Sequence, residues 1–312
     1  MKTCNKLIAL LLMLTLAAIL FSGCELHISF GIGGYVTGES YSNAEAYQTG
    51  AFTYEADEVK SIEIYWRSGE VELIESDEAE LSARESGGEL PEEAAMHYLL
   101  EDGTLRIRFC KSGAKLHVHS NDKHLTIEIP KGIDLSVHTT SASVKADALH
   151  QSSILISAHS GRTELGSAEA ESIDLSSSSG SIRAESISAQ TLKCSASSGS
   201  IRADSISAQT LKCSTSSGSV QIDALAAERA DVGTSSGSVD LTFTAAVQAD
   251  IYTSSGRTSL RLPEGGAEIA DSASSGTLHA AGNIEQNGDL YVFGRGESRI
   301  TVKSSSGSLV IR

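Results

Sequence analysis

Proline is almost missing from this chain of 312 residues, with 3 in all, and aromatics reach only 5%. So few rings leave little to line an apolar ligand pocket, and the bulk composition points away from a helical enzyme. Basic charge is also short: 24 Lys and Arg stand against 40 Asp and Glu, a net charge of −16. Residues 25–102 hold 19 of the acids and 3 of the bases, and residues 103–312 are close to neutral. A polyanion would be repelled by the acidic part and find no basic stripe on the rest, so no nucleic-acid partner is expected. After Phe21 no stretch is apolar enough to cross a bilayer. Five cysteines, at 4, 24, 110, 194 and 213, are too few and too oddly placed for a disulfide framework. Cys110, Cys194 and Cys213 read as buried thiols, although Cys194 and Cys213 share a column in which a disulfide is geometrically conceivable.

What is present begins with an export signal over residues 1–23. Lys2 and Lys6 precede a 15-residue apolar run, Leu7 to Phe21, broken only by Thr15 and closed by the small pair Ser22-Gly23. The run is short for a membrane span. Leu20-Phe21-Ser22-Gly23-Cys24 resembles a bacterial lipobox, with Phe21 where Leu, Val or Ile is usual. The resemblance implies that Cys24 is lipidated and becomes the new N-terminus. Export and lipid anchoring to the outer face of the bacterial cytoplasmic membrane or the cell surface are therefore expected. Residues 24–46, rich in Gly, Ser and acids, read as the tether.

The decisive feature is an internal repeat. Ser178 to Ser195 (SSGSIRAESISAQTLKCS) recurs as Ser197 to Ser214 with one change, Glu185 to Asp204. Gly161, Gly180, Gly199, Gly218, Gly237 and Gly256 follow one another at 19 residues, Gly276 comes after 20, and Ala142 takes the marker position one period earlier. Ser306-Gly307 closes the series after 31, room for an irregular coil and an insertion. Two and four residues past each marker stand apolar columns such as Val144, Ile182, Ile201, Val220 and Ala146, Leu165, Ala184, Ala203. Seven and five before stand Leu135, Ile154, Ile173, Leu192, Leu211 and Val137, Ile156, Leu175, Cys194, Cys213. Asp271 alone breaks the apolar rule. Charged residues alternate with these columns, the period of strands with one wet face.

Two short strands per unit cannot bury an apolar face alone, so the units must stack, each strand on its copy one repeat on. Residues 131–312 are read as an all-β, right-handed parallel β-solenoid, a single-stranded β-helix with 19-residue coils. Period-two columns exclude a helical solenoid, and a propeller blade needs about 40 residues. Stacked tight hairpins remain the rival, against which the identical columns favour in-register parallel stacking. Residues 47–130 form a smaller, acidic, mostly β N-terminal part and cap, with a helical stretch expected from Pro91 to Leu100. At the corners, glycine supplies a positive φ or close approach, and serine hydroxyls bond to backbone.

Three carriers, together with the serine-glycine strands, mark a family likeness. These are the strand Ile64 to Val71 (IYWRSGEV), the stretch Glu101 to Ile107 (EDGTLRI), and Leu125 to Pro130 (LTIEIP). From about Val59 to Arg312 the chain resembles the bacterial putative-adhesin family of β-strand-repeat domains of unknown function. That likeness implies an exported or membrane-tethered β-solenoid.

Chemistry is sparse. His117 and His119 share a strand face, with His124 five residues on, a spacing open to zinc or copper, yet no acid or cysteine completes the set. Glu75, Asp77, Glu78 and Glu80 lack the glycine-turned loop of a calcium site and read as a solvated acidic face. Serine-glycine pairs recur at every corner, whereas a catalytic serine must be singular. No catalytic residue, cofactor or metal is expected. The leading reading is a non-enzymatic, membrane-anchored, adhesin-like protein presenting a rigid solenoid to an envelope polymer or protein. The alternative is an envelope-stress or signalling accessory that binds a membrane protein, and more remotely a polysaccharide-active β-helix enzyme.

Overall fold

In a computed structural model, residues 35–88, 90–117, 123–273, 277–280, 284–287 and 290–312 are described. Cys24, the signal segment and His119 lie outside the described residues. Strands dominate, and apart from the pair Tyr35–Thr37 and Lys115–His117 they join one continuous sheet that winds into a β-solenoid. The 19-residue offset is the register itself: Ile182 pairs in parallel with Thr163 and with Ile201, and Cys194 with Leu175 and Cys213. All four apolar columns point inward through the regular coils, where Leu192, Leu211, Val220 and Leu241 are fully buried.

Each regular coil differs from the expected pair of short strands in being one strand of 15 residues, as in Ile182–Ala196 and Ile201–Thr215. The strand bends twice. Alternation puts every second residue inside, so two outward residues in a row mark a change of direction. They occur at Glu185-Ser186 and at Gln190-Thr191, and the ladder skips Glu185 and Gln190. The coil is thus three-sided, and the middle side adds a fifth inward column of Leu149, Ala168, Ile187, Ile206 and Leu225.

Corner glycines are chosen for space. None of Gly161, Gly180, Gly199, Gly218, Gly237 and Gly256 has a positive φ, but a Cβ on Gly180 or Gly199 would stand 1.8 Å from the carbonyl oxygen of the corner beneath. Serine hydroxyls accept from corner amides as expected, and behind two of the corners an inward threonine adds to the bonding. The Thr215 hydroxyl donates to the Gly199 carbonyl (3.2 Å) and accepts from the Gly218 amide (3.1 Å). Thr234 repeats this one coil on, with Gly218 and Gly237. The serines form an outer ladder through Ser200, Ser219 and Ser238.

Stacking order departs from chain order at both ends. Ser61–Trp66 lies between Thr104–Arg108 and Asp134–Thr139, all parallel, so the coil that follows it in sequence sits on its outer side. At the far end Ser298–Ser304 lies between Gln248–Thr253 and Gly266–Ala273. Gly307 accordingly packs against the Gly256 corner, so the last marker does not continue the climb past residue 276. The stretch expected to be helical is a single 3-10 turn, Glu92–Ala94, followed by the strand His97–Glu101. The overriding signal is Asp102-Gly103, with φ of 53° and 78°, which closes an antiparallel hairpin with Thr104–Arg108.

Ile201→Ala should cost about 2–5 kcal/mol in urea unfolding, because it empties a column filled above and below. Arg202→Ala, exposed and paired loosely with Asp204 (3.7 Å) and Asp223 (3.4 Å), should cost under about 0.5 kcal/mol. Asp271 occupies an inward column beside Val302, and burial raises its pKa above 3.8. A raised native pKa favours the neutral form: its stabilising effect is full below pH 3.8 and is lost as pH rises through the native value. Asp271→Val should therefore stabilise the protein by roughly 0.5–2 kcal/mol at pH 7 and by less at pH 3, read from unfolding midpoints at the two pH values.

Candidate functional site

The second bend of the coil does more than turn the chain. Where the strand changes direction at Gln190, the outward side chains on its two sides splay apart, and the same bend repeats at Ser152, Glu171 and Gln209. The result is an open groove of about 700 Å³ running along the solenoid axis. Its floor is apolar, from Ala170, Ala189 and Ala208. Ser188 and Ser207 line one rim, and Glu171, Gln190, Gln209 and Glu228 the other. The register sets Ser188 and Ser207 one coil apart, ~4.8 Å, and the opposite rim is a run of two amides, Gln190 and Gln209, between two carboxylates, Glu171 and Glu228.

The N-terminal end of the groove is closed by charge. Glu75, nearly buried, meets His150 Nδ1 at 2.9 Å, accepts from the His150 amide, and lies 3.7 Å from Lys131 Nζ. Glu169 approaches His150 Nε2 at 3.7 Å. Lys131 also binds Asp77 at 2.8 Å, a contact that lowers the Asp77 pKa and raises that of Lys131. Beneath them buried Gln151 accepts from the Ile133 amide (2.8 Å) and donates to the Pro130 carbonyl (3.2 Å). These bonds tie the first coils together.

Of the acidic cluster read from sequence, Glu75 and Asp77 converge on Lys131, whereas Glu78 and Glu80 are exposed. Of the three histidines, His124 is exposed on the main sheet, 3.9 Å from Glu70, and His117 lies on a strand of the separate two-stranded sheet. The ladder does not bring these two strands together. Cys110, Cys194 and Cys213 are free buried thiols. Burial pushes the Cys110 thiol up to about 11. Cys213 is raised through its hydrogen bond with Cys194 and its burial. The groove itself was missed in the sequence, although its signal was there: two outward residues in a row at a fixed place in each repeat.

Residues 59–312 match the family model described as Toastrack DUF4097. The chain belongs to the Toastrack family. This is the span over which the sequence resembled a β-strand-repeat family, and the Toastrack domain is β-solenoid-like. Among solved structures, the chain is similar to a putative lipid binding protein from Parabacteroides distasonis, at 19% identity over 84% of this chain and 97% of that one, TM-score 0.47. It is also similar to a putative adhesin from Parabacteroides merdae (12%, 85% and 96%, 0.42) and to a putative cell adhesion protein from Clostridium sporogenes (12%, 85% and 98%, 0.22). A search of curated proteins finds no match. Among the described residues no helix is long and apolar enough to cross a membrane.

Proposed function

We propose that this Toastrack protein is a non-enzymatic binding protein of the bacterial envelope, held to the membrane by a lipid on Cys24 and presenting its groove to an extended envelope polymer. The observation that carries the reading is the pair of ladders, Ser188 with Ser207 and Gln190 with Gln209, set one coil apart beside an alanine floor. A catalytic centre needs unlike groups converging on one atom, whereas these ladders repeat like groups along a line. Many weak contacts at fixed spacing suit a ligand that is itself a repeating chain, because each unit bound raises the effective concentration of the next.

The test is cosedimentation of the full chain, in detergent, with insoluble envelope polymer. The quadruple variant Ser188→Ala, Gln190→Ala, Ser207→Ala, Gln209→Ala should bind about tenfold more weakly, a loss of ~1.4 kcal/mol. Unchanged binding removes the groove reading. Cys24→Ser should move the protein from the membrane to the soluble fraction, since a stable anchor needs acyl chains. Retention in the membrane fraction would remove the lipid anchor.

A further inference from the structure

A second surface, apart from the groove, carries an aromatic ring in an unusual setting. One outward column runs through Ser157, Ser176, Ser195 and Ser214, and then through Gly233 and Tyr252. Four serines in line are replaced first by no side chain and then by a phenol. Tyr252 is the most exposed large hydrophobic among the described residues, at 48%. Its ring leans back over Gly233: a Cβ on that glycine would meet Tyr252 Cδ1 at 2.6 Å. Gly233 is buried although its column faces outward, because the ring covers it. The phenolic oxygen lies 3.5 Å from both the Ser235 and Ser254 hydroxyls, which steady the ring against the corner.

One face of the ring therefore lies against the sheet and the other faces solvent. An exposed aromatic face carries negative potential and packs well against C–H groups that bear partial positive charge. A pyranose ring offers such C–H groups on its faces and hydroxyls around its edge. Acceptors for those hydroxyls stand beside the platform: Asp250 and Asp231, both exposed, precede Tyr252 and Gly233 by two residues and so share their side of the sheet. Along the axis the surface continues as serine hydroxyls at ~4.8 Å per coil, close to the length of one sugar unit. Lys193 in the neighbouring column is tied to Asp174 at 2.8 Å, and Lys212 follows it one coil on. Asp231 and Asp250 stand beside the ring and Lys303 follows Tyr252 one coil on in its own column, so the local charge is mixed and offers no basic stripe to a polyanion.

We propose that Tyr252 is the stacking platform for one sugar ring of a neutral, linear polysaccharide whose next units lie over Ser214 and Ser195. This site uses no residue of the groove and stands without it. Affinity electrophoresis of the full chain in detergent, through gels carrying hydroxyethyl cellulose, mannan or laminarin, tests it, with polygalacturonate as the anionic probe. At least one neutral glycan should retard the chain and polygalacturonate should not. Tyr252→Ala should weaken that retardation ~10-fold or more, and Tyr252→Phe, which keeps the face, by less than ~3-fold. Gly233→Ser restores the serine of its own column and pushes the ring off the sheet, so it should weaken binding while leaving the unfolding midpoint near that of the parent. Retardation by no neutral glycan, stronger retardation by polygalacturonate, or a Tyr252→Ala chain that runs as the parent would each overturn the platform. If the groove quadruple variant lost the retardation and Tyr252→Ala kept it, the platform would fall and the groove reading would stand.

Discussion

Gly199→Ala is expected to cost ~4–5 kcal/mol, in the exceptional range for one methyl group. The added Cβ would stand 1.8 Å from the Gly180 carbonyl oxygen and 2.6 Å from its carbon. Ordinary overpacking costs about 1–3 kcal/mol because side chains can shift. Here the neighbour is backbone, and the two corners are pinned to one another and to the coil above. The Gly199 carbonyl accepts from the Thr215 hydroxyl, and the Ser197 and Ser198 amides donate to the Ser177 and Ser178 carbonyls (3.0 and 2.9 Å). Relief would require opening the strand spacing at the corner and breaking those bonds. The first corner tolerates Ala142 because it is built differently: the coil beneath turns through Gly69 at φ 85°, and the Ala142 amide donates to the Arg67 carbonyl. Urea unfolding of Gly199→Ala against Ser200→Ala, an exposed change expected within about 0.5 kcal/mol, measures the difference. Equal midpoints for the two would show that corner spacing is not what glycine provides.

The inward columns were legible because a solenoid writes one structural answer many times. Ile182 and Ile201, or Leu192 and Leu211, occupy the same place in successive coils, so each repeat checks the last. The bends were less legible, since at Glu185-Ser186 a pair of polar residues reads locally as the end of a strand, whereas the ladder resumes one residue later. The order of coils at the ends was not legible at all. Ile300, Val302, Leu309 and Ile311 fit the inward columns of any neighbour, so nothing in them says that this coil slips between two earlier ones. Asp102-Gly103 was readable as a hairpin turn, but the acids after Pro91 pointed to a helix start and masked it. In the site, the ladder residues were visible as repeats. The groove came only from the bend that sets them apart, and the leaning of Tyr252 over Gly233 is a contact between strands 19 residues apart.

Lys123 is the residue that sequence reasoning passed over entirely, and Lys123→Met is expected to cost about 3–5 kcal/mol. The side chain is 1% exposed at the N-terminal end of the solenoid. It enters there because Gly69 has no side chain: a Cβ on that glycine would stand 1.9 Å from the Lys123 carbonyl oxygen. Its ammonium donates to the Ala94 and Phe109 carbonyls and forms an ion pair with Glu85 Oε1 at 2.6 Å. The Phe109 and Trp66 rings lie 4.0 and 5.0 Å from the nitrogen. Burial still lowers the lysine pKa, against the pull of Glu85. Methionine fills the space but leaves the Glu85 carboxylate without its cation and two carbonyls without their donor. Glu85 must keep an acceptor, because its other oxygen takes the Met96 amide at 2.8 Å. Adding Glu85→Gln to Lys123→Met should therefore recover part of the loss, since the amide is neutral and can still serve Met96, and the double-mutant cycle should show coupling of more than about 1 kcal/mol. Trp66 is the one tryptophan of the chain and packs at this lysine, so its fluorescence follows the end of the stack while circular dichroism follows the whole. Solenoids are coupled between nearest neighbours, so in Lys123→Met the fluorescence transition should precede the loss of β signal. Coincident transitions with a shift below about 1 kcal/mol would mean that the buried ion pair does not hold the cap in place.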